Sequence, residues 1–460
     1  MNIHGVEFEI ASKPPLDAGF APLAKFNSAF LRSAEEPVAI ALERSGGQIA
    51  VYSTFIHGTE EMFAADCFYI DRLVKLMLWG KGGFKVTVCG NKRVAGYIAE
   101  TYCASGGRAF DAAMMERIYE RAFAVLCVPF DERAAANELS QPLGRHLDGC
   151  RIGFDAGGSD RKVSAVVDGE AVFSEEVVWH PKTNSDPDYH YNGIVDAMKT
   201  AASKMPRVDA IGVSSAGIYI DNRTMLASLF LQVPEPLFRQ KVQDIYVRAA
   251  AAIGDVPLTV ANDGDVTALA GAMELNDNCV LGIAMGTSEA GGYVDENGSI
   301  TGWLNELAFI PVDGQNNAAH DEWSGDVGCG VKYFSQDAVI KLAPAAGIEL
   351  GSELTPAEKL KVIQGHMRAG HKGAEDIYRS IGVYLAHAIA LYAEHYNIRH
   401  VLLLGRVMSG KGGELIIERA VSVMAEEYPR LADTINLYLP DEKNRRVGQS
   451  VAAASLPITR

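Results

Sequence analysis

The stretch "RIGFDAGGSDRKVSAVVDGEAVFSEEVVW", residues 151–179, decides the fold. Three β-rich runs are separated by the glycine turn at Gly157-Gly158-Ser159 and the tight Asp168-Gly169 turn, which reads as an antiparallel meander. The same plan recurs in "CVLGIAMGTSEAGGYVDENGSI", residues 279–300: a strand, a glycine-rich turn at Gly286-Thr287-Ser288, a strand, and a turn at Glu296-Asn297-Gly298. A motif present twice predicts a chain of two related halves. One glycine hairpin per half, facing the other across a cleft, would offer backbone N–H groups to a polyphosphate from both sides.

Between the two meanders lie an amphipathic helix around "YNGIVDAMKTAASKM" (191–205), a strand "VDAIGVSSAG" (208–217), and a long helix expected from about Pro234 to Ile253. Then "VPLTVANDGDVTALAG" (256–271) runs an apolar strand into Asn262-Asp263 and on into an Ala-rich helix with Asp265 in its first turn. A strand ending in a polar pair before a helix is how open α/β sheets present side chains to a ligand. From the residues alone the pair reads either as a helix cap or as a ligand-facing acid. Asp265 reads as an anion on the positive end of the helix dipole.

Upstream, "VAIALERSGGQIAVYSTF" (38–55) reads as a hairpin with a Gly-Gly turn. It is followed by a helix in "CFYIDRLVKLMLWG" (67–80), a strand in "FKVTVCG" (84–90) and a helix in "KRVAGYIAETY" (92–102). "RAAANELSQPLGRHLDGC" (133–150), punctuated by Pro142 and Gly144, marks a domain boundary. Near the other end, "DIYRSIGVYLAHAIALYAEHYN" (376–397) has apolar residues at helical spacing and reads as a core helix.

The chain has 460 residues, 48% of them hydrophobic and 22% charged, enough for two or three globular domains. A formal net charge of −16 opposes association with phosphodiester backbones, so nucleic acid is not an expected partner. "MNIHGVEFEIASKPPLD" (1–17) lacks a cationic segment followed by an apolar one, and no run is apolar for long enough to span a bilayer. The expectation is a cytoplasmic protein without a membrane partner. The seven cysteines include no Cys-x-x-Cys pair, which argues for small buried hydrophobes over a disulfide framework or a cysteine-built metal site.

The order and spacing of these motifs carry a resemblance. From Arg151 to Arg460 the chain resembles the ROK family (repressor, open reading frame, kinase) of sugar kinases, within the larger actin and hexokinase-like ATPase fold. The fold this implies is α/β: a duplicated actin/hexokinase-like fold of two lobes around a cleft, preceded by a small additional α/β domain. Residues 1–140 form that N-terminal region, 150–265 with a C-terminal helix at about 443–460 form the first lobe, and 266–442 form the second.

Carried over residue by residue, the resemblance implies that Asp155 holds magnesium through water while Gly157, Gly158 and Ser159 turn beneath the nucleotide. Gly286, Thr287 and Ser288 would approach the β- and γ-phosphates, Ser288 standing where the family has a glycine and Glu289 standing oddly close to a triphosphate. Asn262 would bond a sugar hydroxyl and Asp263 would accept its proton. Glu306 in "GWLNELAFIPVDG" (302–314) falls on the sugar-binding glutamate, whereas Phe309 and Val331 replace a histidine and a second glutamate. Gly217 and Ser215 would lie near the ligand, a turn-forming role being the alternative. In "IRHVLLLGRVMSGKGGELI" (398–416) Gly405 fits the adenosine-binding segment and Arg406 replaces a glycine. Glu322 and Ser324 occupy expected zinc-cysteine positions, with Cys329 remaining, so no zinc is expected.

The implied activity is ATP- and Mg2+-dependent phosphorylation of a hydroxyl on a sugar or sugar-like substrate other than plain glucose, by a homodimer. The alternative is a non-catalytic sugar or nucleotide sensor on the same fold.

Overall fold

A computed structural model describes residues 1–138, 142–440 and 442–459. The expected boundary at residue 140 and the final residue of the expected C-terminal helix lie outside the described residues. The chain forms two compact units, one comprising Met1–Leu139, Ile283–Gly291 and Trp303–Tyr438, the other Ser140–Gly282, Gly292–Gly302 and Leu439–Arg460.

In the first unit, α1 (Leu23–Phe30) precedes the expected hairpin of β1 (Glu36–Glu43) and β2 (Ile49–Ile56), whose turn holds Gly46 and Gly47 at φ 69° and 71°. The helix α2 (Phe63–Gly80), strand β3 (Lys85–Cys89), helices α3 (Lys92–Thr101) and α4 (Ala109–Tyr119) and strand β4 (Ala124–Val128) follow. The sheet order is β2-β1-β3-β4, with β3 and β4 parallel and the other pairs antiparallel. The inner strand β1 is buried along Val38–Leu42, which explains its continuous apolar run. Most of α2 is buried as well, charged residues included.

The second unit is built on β5 (Cys150–Ala156), β6 (Asp160–Val167), β7 (Glu170–Val178), β8 (Ala210–Ser215) and β9 (Leu258–Asn262) in the order β9-β8-β5-β6-β7. The strands β5, β6 and β7 form the predicted antiparallel meander, with Asp168 and Gly169 at positive φ in its second turn, whereas β5, β8 and β9 run parallel. Helix α5 (Pro187–Ala202) covers one side and α6 (Asp263–Leu275) leaves the end of β9. The single long helix expected at Pro234–Ile253 is instead broken into Glu235–Leu237, a π-turn at Phe238–Val242, and Ile245–Ala251. The wide turn buries both Phe238 and Val242 and aims the Gln243 carbonyl at the amide of Thr224 (2.8 Å).

The chain re-enters the first unit within the glycine hairpin of β10 (Val280–Met285) and β11 (Glu289–Val294), of which Ile283–Gly291 belongs to that unit, and continues in it with α7 (Lys372–Tyr392), β12 (His400–Leu404), α8 (Lys411–Glu427) and β13 (Asn436–Tyr438). These strands form a sheet of order β11-β10-β12-β13. The predicted core helix is α7, buried from Ser380 through Tyr392. Finally α9 (Glu442–Ala454) returns to the second unit and lies directly on β5 and β8. Gly153 and Gly212 permit this approach, since a Cβ on either would collide with the carbonyl of Ser450 or Ala453. Five of the seven cysteines are buried, and among the described residues no helix is long and apolar enough to cross a membrane.

Candidate active site

The parallel strands β5, β8 and β9 end in register: Asp155 lies opposite Ser214, and Ser215 opposite Asn262. Their carboxyl ends therefore gather the polar residues that the sequence singled out. The Ser214 hydroxyl donates to Asp155 Oδ1 (2.9 Å). Burial, and then the like charge of Asp263, push the Asp155 carboxyl up to about 6, with the Ser214 bond opposing. The half-buried Asp263 is likewise raised above its ordinary value, by burial first, against the pull of the Gly264 amide and of Lys182. A carboxylate raised in this way is a stronger base and remains ionised at neutral pH unless its pKa passes that range.

Asn262 is the N-cap of α6. Its Oδ1 accepts from the Gly264 amide (2.7 Å) and its Nδ2 donates to the Gly217 carbonyl (2.7 Å). Cap and acid are thus neighbouring residues with separate tasks. The Asp263 carboxyl also feels the Gly264 amide, and Asp265, in the first turn as expected, accepts from the Tyr293 amide (3.0 Å). Gly217 has φ 144° and no room for a Cβ against the Leu226 carbonyl, so it serves the turn as well as Asn262. The Ser215 hydroxyl is fully buried and bonded to Tyr246 (2.8 Å) and Tyr219 (2.7 Å).

The first glycine turn is held from behind by Trp179, whose Nε1 donates to the Gly157 carbonyl (2.8 Å) and whose amide donates to the Ser159 carbonyl (3.1 Å). Gly158 and Ser159 are left exposed. Beside them is a residue the sequence reading missed. The Lys182 Nζ lies 3.0 Å from where a Gly158 Cβ would stand, and its charge reaches Asp263. The only signal was a lone lysine in "HPKT", between a strand and a helix, where a surface lysine is the ordinary reading.

The other unit shows a parallel arrangement. In the second glycine turn Thr287 and Ser288 are exposed, and Arg406 donates to the Thr287 hydroxyl (2.6 Å). Gly405, at φ 94°, brings the start of the Arg406 turn so close to the end of β10 that a Cβ would collide with the Met285 backbone. Each glycine turn thus has its own cation in a chain of net charge −16, and each turn by itself fits a phosphate group. Among the described residues no three His, Cys, Asp or Glu side chains gather as a metal site. A divalent ion at Asp155 would take its remaining ligands from water and phosphate oxygens, as magnesium does.

Glu306 is half-buried and caps the short turn Leu307–Phe309. Glu289, which raised the question of a carboxylate beside a triphosphate, points inward: it is 3% exposed, and neither oxygen has a hydrogen-bond partner. Burial, and then the charge of Glu306, push its carboxyl well above its ordinary value. Gly330 leaves the space it occupies, since a Cβ there would collide with the Glu289 carboxyl. Phe309, in the expected histidine position, is buried against Trp79 with ring centroids 4.2 Å apart. At the expected zinc-cysteine positions, Glu322 pairs with Lys332 (2.6 Å) and Ser324 bonds Asp321 (2.5 Å).

An α/β fold with a glycine hairpin in each unit and an acid at a strand end defines the class, and comparison with known proteins is consistent with it. The ROK family model matches residues 151–446, and the chain belongs to the ROK family. No curated protein sequence matches. Among solved structures, a ROK hexokinase from Thermus thermophilus is similar at 16% identity and TM-score 0.51, over 66% of this chain and 96% of that one. A ROK family transcriptional regulator, a homologue of the E. coli MLC protein, has 18% identity and TM-score 0.49 over 71% and 82% of the two chains. A putative N-acetylmannosamine kinase from Listeria monocytogenes has 18% identity and TM-score 0.49 over 66% and 97%. The likeness to the Thermus protein is one of fold.

Proposed function

We propose that this protein is a sugar kinase that uses magnesium-ATP to phosphorylate a hydroxyl of a sugar or sugar-like acceptor, with Asp263 as the base. The observation that supports it best is the acid Asp263 at the end of β9 with the Lys182 charge acting on it beside the glycine turn of the same unit; in the other unit Arg406 donates to Thr287 of the second glycine turn. Gly157, Gly158, Ser159, Gly286, Thr287 and Ser288 would bind the phosphates, Gly405 and Arg406 would border the nucleoside, and Asp155 would hold the magnesium ion through water. The bound metal and nucleotide supply the transferable phosphoryl group and charge neutralisation at its oxygens.

Asp263 accepts the acceptor hydroxyl's proton as that oxygen attacks phosphorus. Lys182, in the same unit as Asp263, steadies the charge on the phosphoryl oxygens. Asn262 holds the strand end in place through Gly217 and has a second amide proton for the acceptor, and Glu306 is a further hydroxyl partner. Phe309 and Val331 offer no hydrogen bond where polar residues would hold a fully hydroxylated hexose, so a deoxygenated or substituted acceptor is favoured.

Asp263→Asn decides the matter. Turnover over a panel of hydroxylated acceptors, followed by ADP release, is expected to fall by at least about 10²–10⁴-fold. Thermal stabilisation by acceptor and by magnesium-ATP is expected to persist. Near-normal turnover in that variant would refute the assignment. Stabilisation of the native protein by a sugar, with no phosphate transferred to any acceptor, would identify a sensor instead.

A further inference from the structure

Residues 1–138 lie upstream of the family match, yet they converge on the segment that holds Glu306. The last turn of α2 supplies two carbonyls to it: the Glu306 amide donates to Trp79 O (3.0 Å) and the Asn305 amide to Gly80 O (2.9 Å). The Trp79 ring lies on Phe309, three residues further on, and its Nε1 donates to Asp111 of α4 (2.7 Å).

A second grip comes through Asp326. Its Oδ2 receives Arg72 (2.9 Å) and Lys75 (2.8 Å) from α2 and Arg108 (2.7 Å) from the N-terminal edge of α4. Lys75 is fully buried and also faces Asp111 (3.5 Å), and Arg108 bonds both oxygens of Asp71 (3.1 and 2.7 Å). Three cations and three carboxylates therefore close on one another away from water, an arrangement that fixes geometry strongly because removing any one charge strands another. Asp326 leads into Gly328–Gly330, which pairs with the chain just after Glu306: Val312 N donates to Gly328 O (2.8 Å) and Gly330 N to Ile310 O (2.9 Å).

We propose that the N-terminal region is the positioning element of the acceptor site, in which the end of α2 and the buried ion cluster centred on Asp326 set the place of Glu306. Glu306 as an acceptor contact rests on the kinase reading; its placement by α2 does not. Trp79, Lys75 and Asp326 are positioning residues that touch no substrate.

The test pairs Asp326→Asn, which keeps shape and removes charge, with the gentler Trp79→Phe, which keeps the stacking and removes the bond to Asp111. In both, amide hydrogen exchange at Asn305 and Glu306 is expected to quicken at least 10-fold. The acceptor KM is expected to rise at least 10-fold while the KM for ATP changes less than 2-fold. In a Glu306→Gln background Asp326→Asn should add little further to the acceptor KM, because both changes act through one contact. Unchanged exchange at 305–306, or equal rises in both KM values that add fully to Glu306→Gln, would overturn the proposal. If Asp326→Asn does not fold, Trp79→Phe decides by the same measurements. Should no acceptor be phosphorylated at all, the kinase reading fails, and the exchange rates at 305–306 still decide the role of α2.

Discussion

Asp263 and Asp155 are neighbouring carboxyls in a desolvated setting, and their raised pKa values have a kinetic consequence. A base must be ionised to act, so on the proposed assignment of Asp263 as the base the acid limb of kcat/KM is expected above the ordinary aspartate value of 3.8. Because Lys182 favours the charged form of Asp263, Lys182→Met should move that limb to higher pH and raise the KM for ATP. A pH profile of both proteins measures it, and a limb that does not move would separate Lys182 from Asp263. Glu289 gives a stability prediction. Its proton is held more tightly folded than unfolded, so the native state binds more protons and stability falls as pH rises above about 4.5 toward the folded-state value. Glu289→Leu removes an unsatisfied buried group and should stabilise the fold by about 1–3 kcal/mol, with the gain larger at pH 8 than at pH 5 in paired thermal melts.

Among the elements, α9 and α2 matter most. The helix α9 sits on bare backbone at Gly153 and Gly212, where neither strand has a side chain to yield. Gly153→Ala should therefore cost at least about 1–3 kcal/mol and lower Tm, whereas the same change at Gly448, whose Cβ would meet nothing, should have a much smaller effect. Glycine in β5 was visible in the sequence, but a strand glycine reads equally as a turn or a weak point, and only the partner helix, some 300 residues away along the chain, explains it. The π-turn at Phe238–Val242 was hidden for a similar reason: apolar spacing there is helical throughout, and the break is made by the bond from Thr224 to Gln243.

At the scale of the molecule, the N-terminal residues are built into the first unit by covering α7. Phe20 packs on Tyr384 and Tyr333 with ring centroids 4.6 and 5.7 Å away, Asp17 accepts from the Tyr384 hydroxyl (2.5 Å), and the Leu16 amide donates to Ser380 (3.1 Å). A chain beginning at residue 142 would expose this apolar helix. It is expected to be insoluble or rapidly proteolysed, while the full chain melts cooperatively. Soluble yield and limited proteolysis compare the two.

Local patterning was sufficient for the two glycine meanders, the strand entering Asn262-Asp263, the buried helix α7 and the family, because alternation, turn chemistry and helical spacing are properties of neighbouring residues. It was not sufficient for Lys182, for the inward turn of Glu289, or for the burial of Ser215 between two tyrosines. Nor could it connect Trp79 and Lys75 with Glu306 and Asp326, more than 220 residues apart. Those relations are decided when distant strands and helices pack, since a charge or hydroxyl acquires its role from what desolvates it and what stands within hydrogen-bond reach.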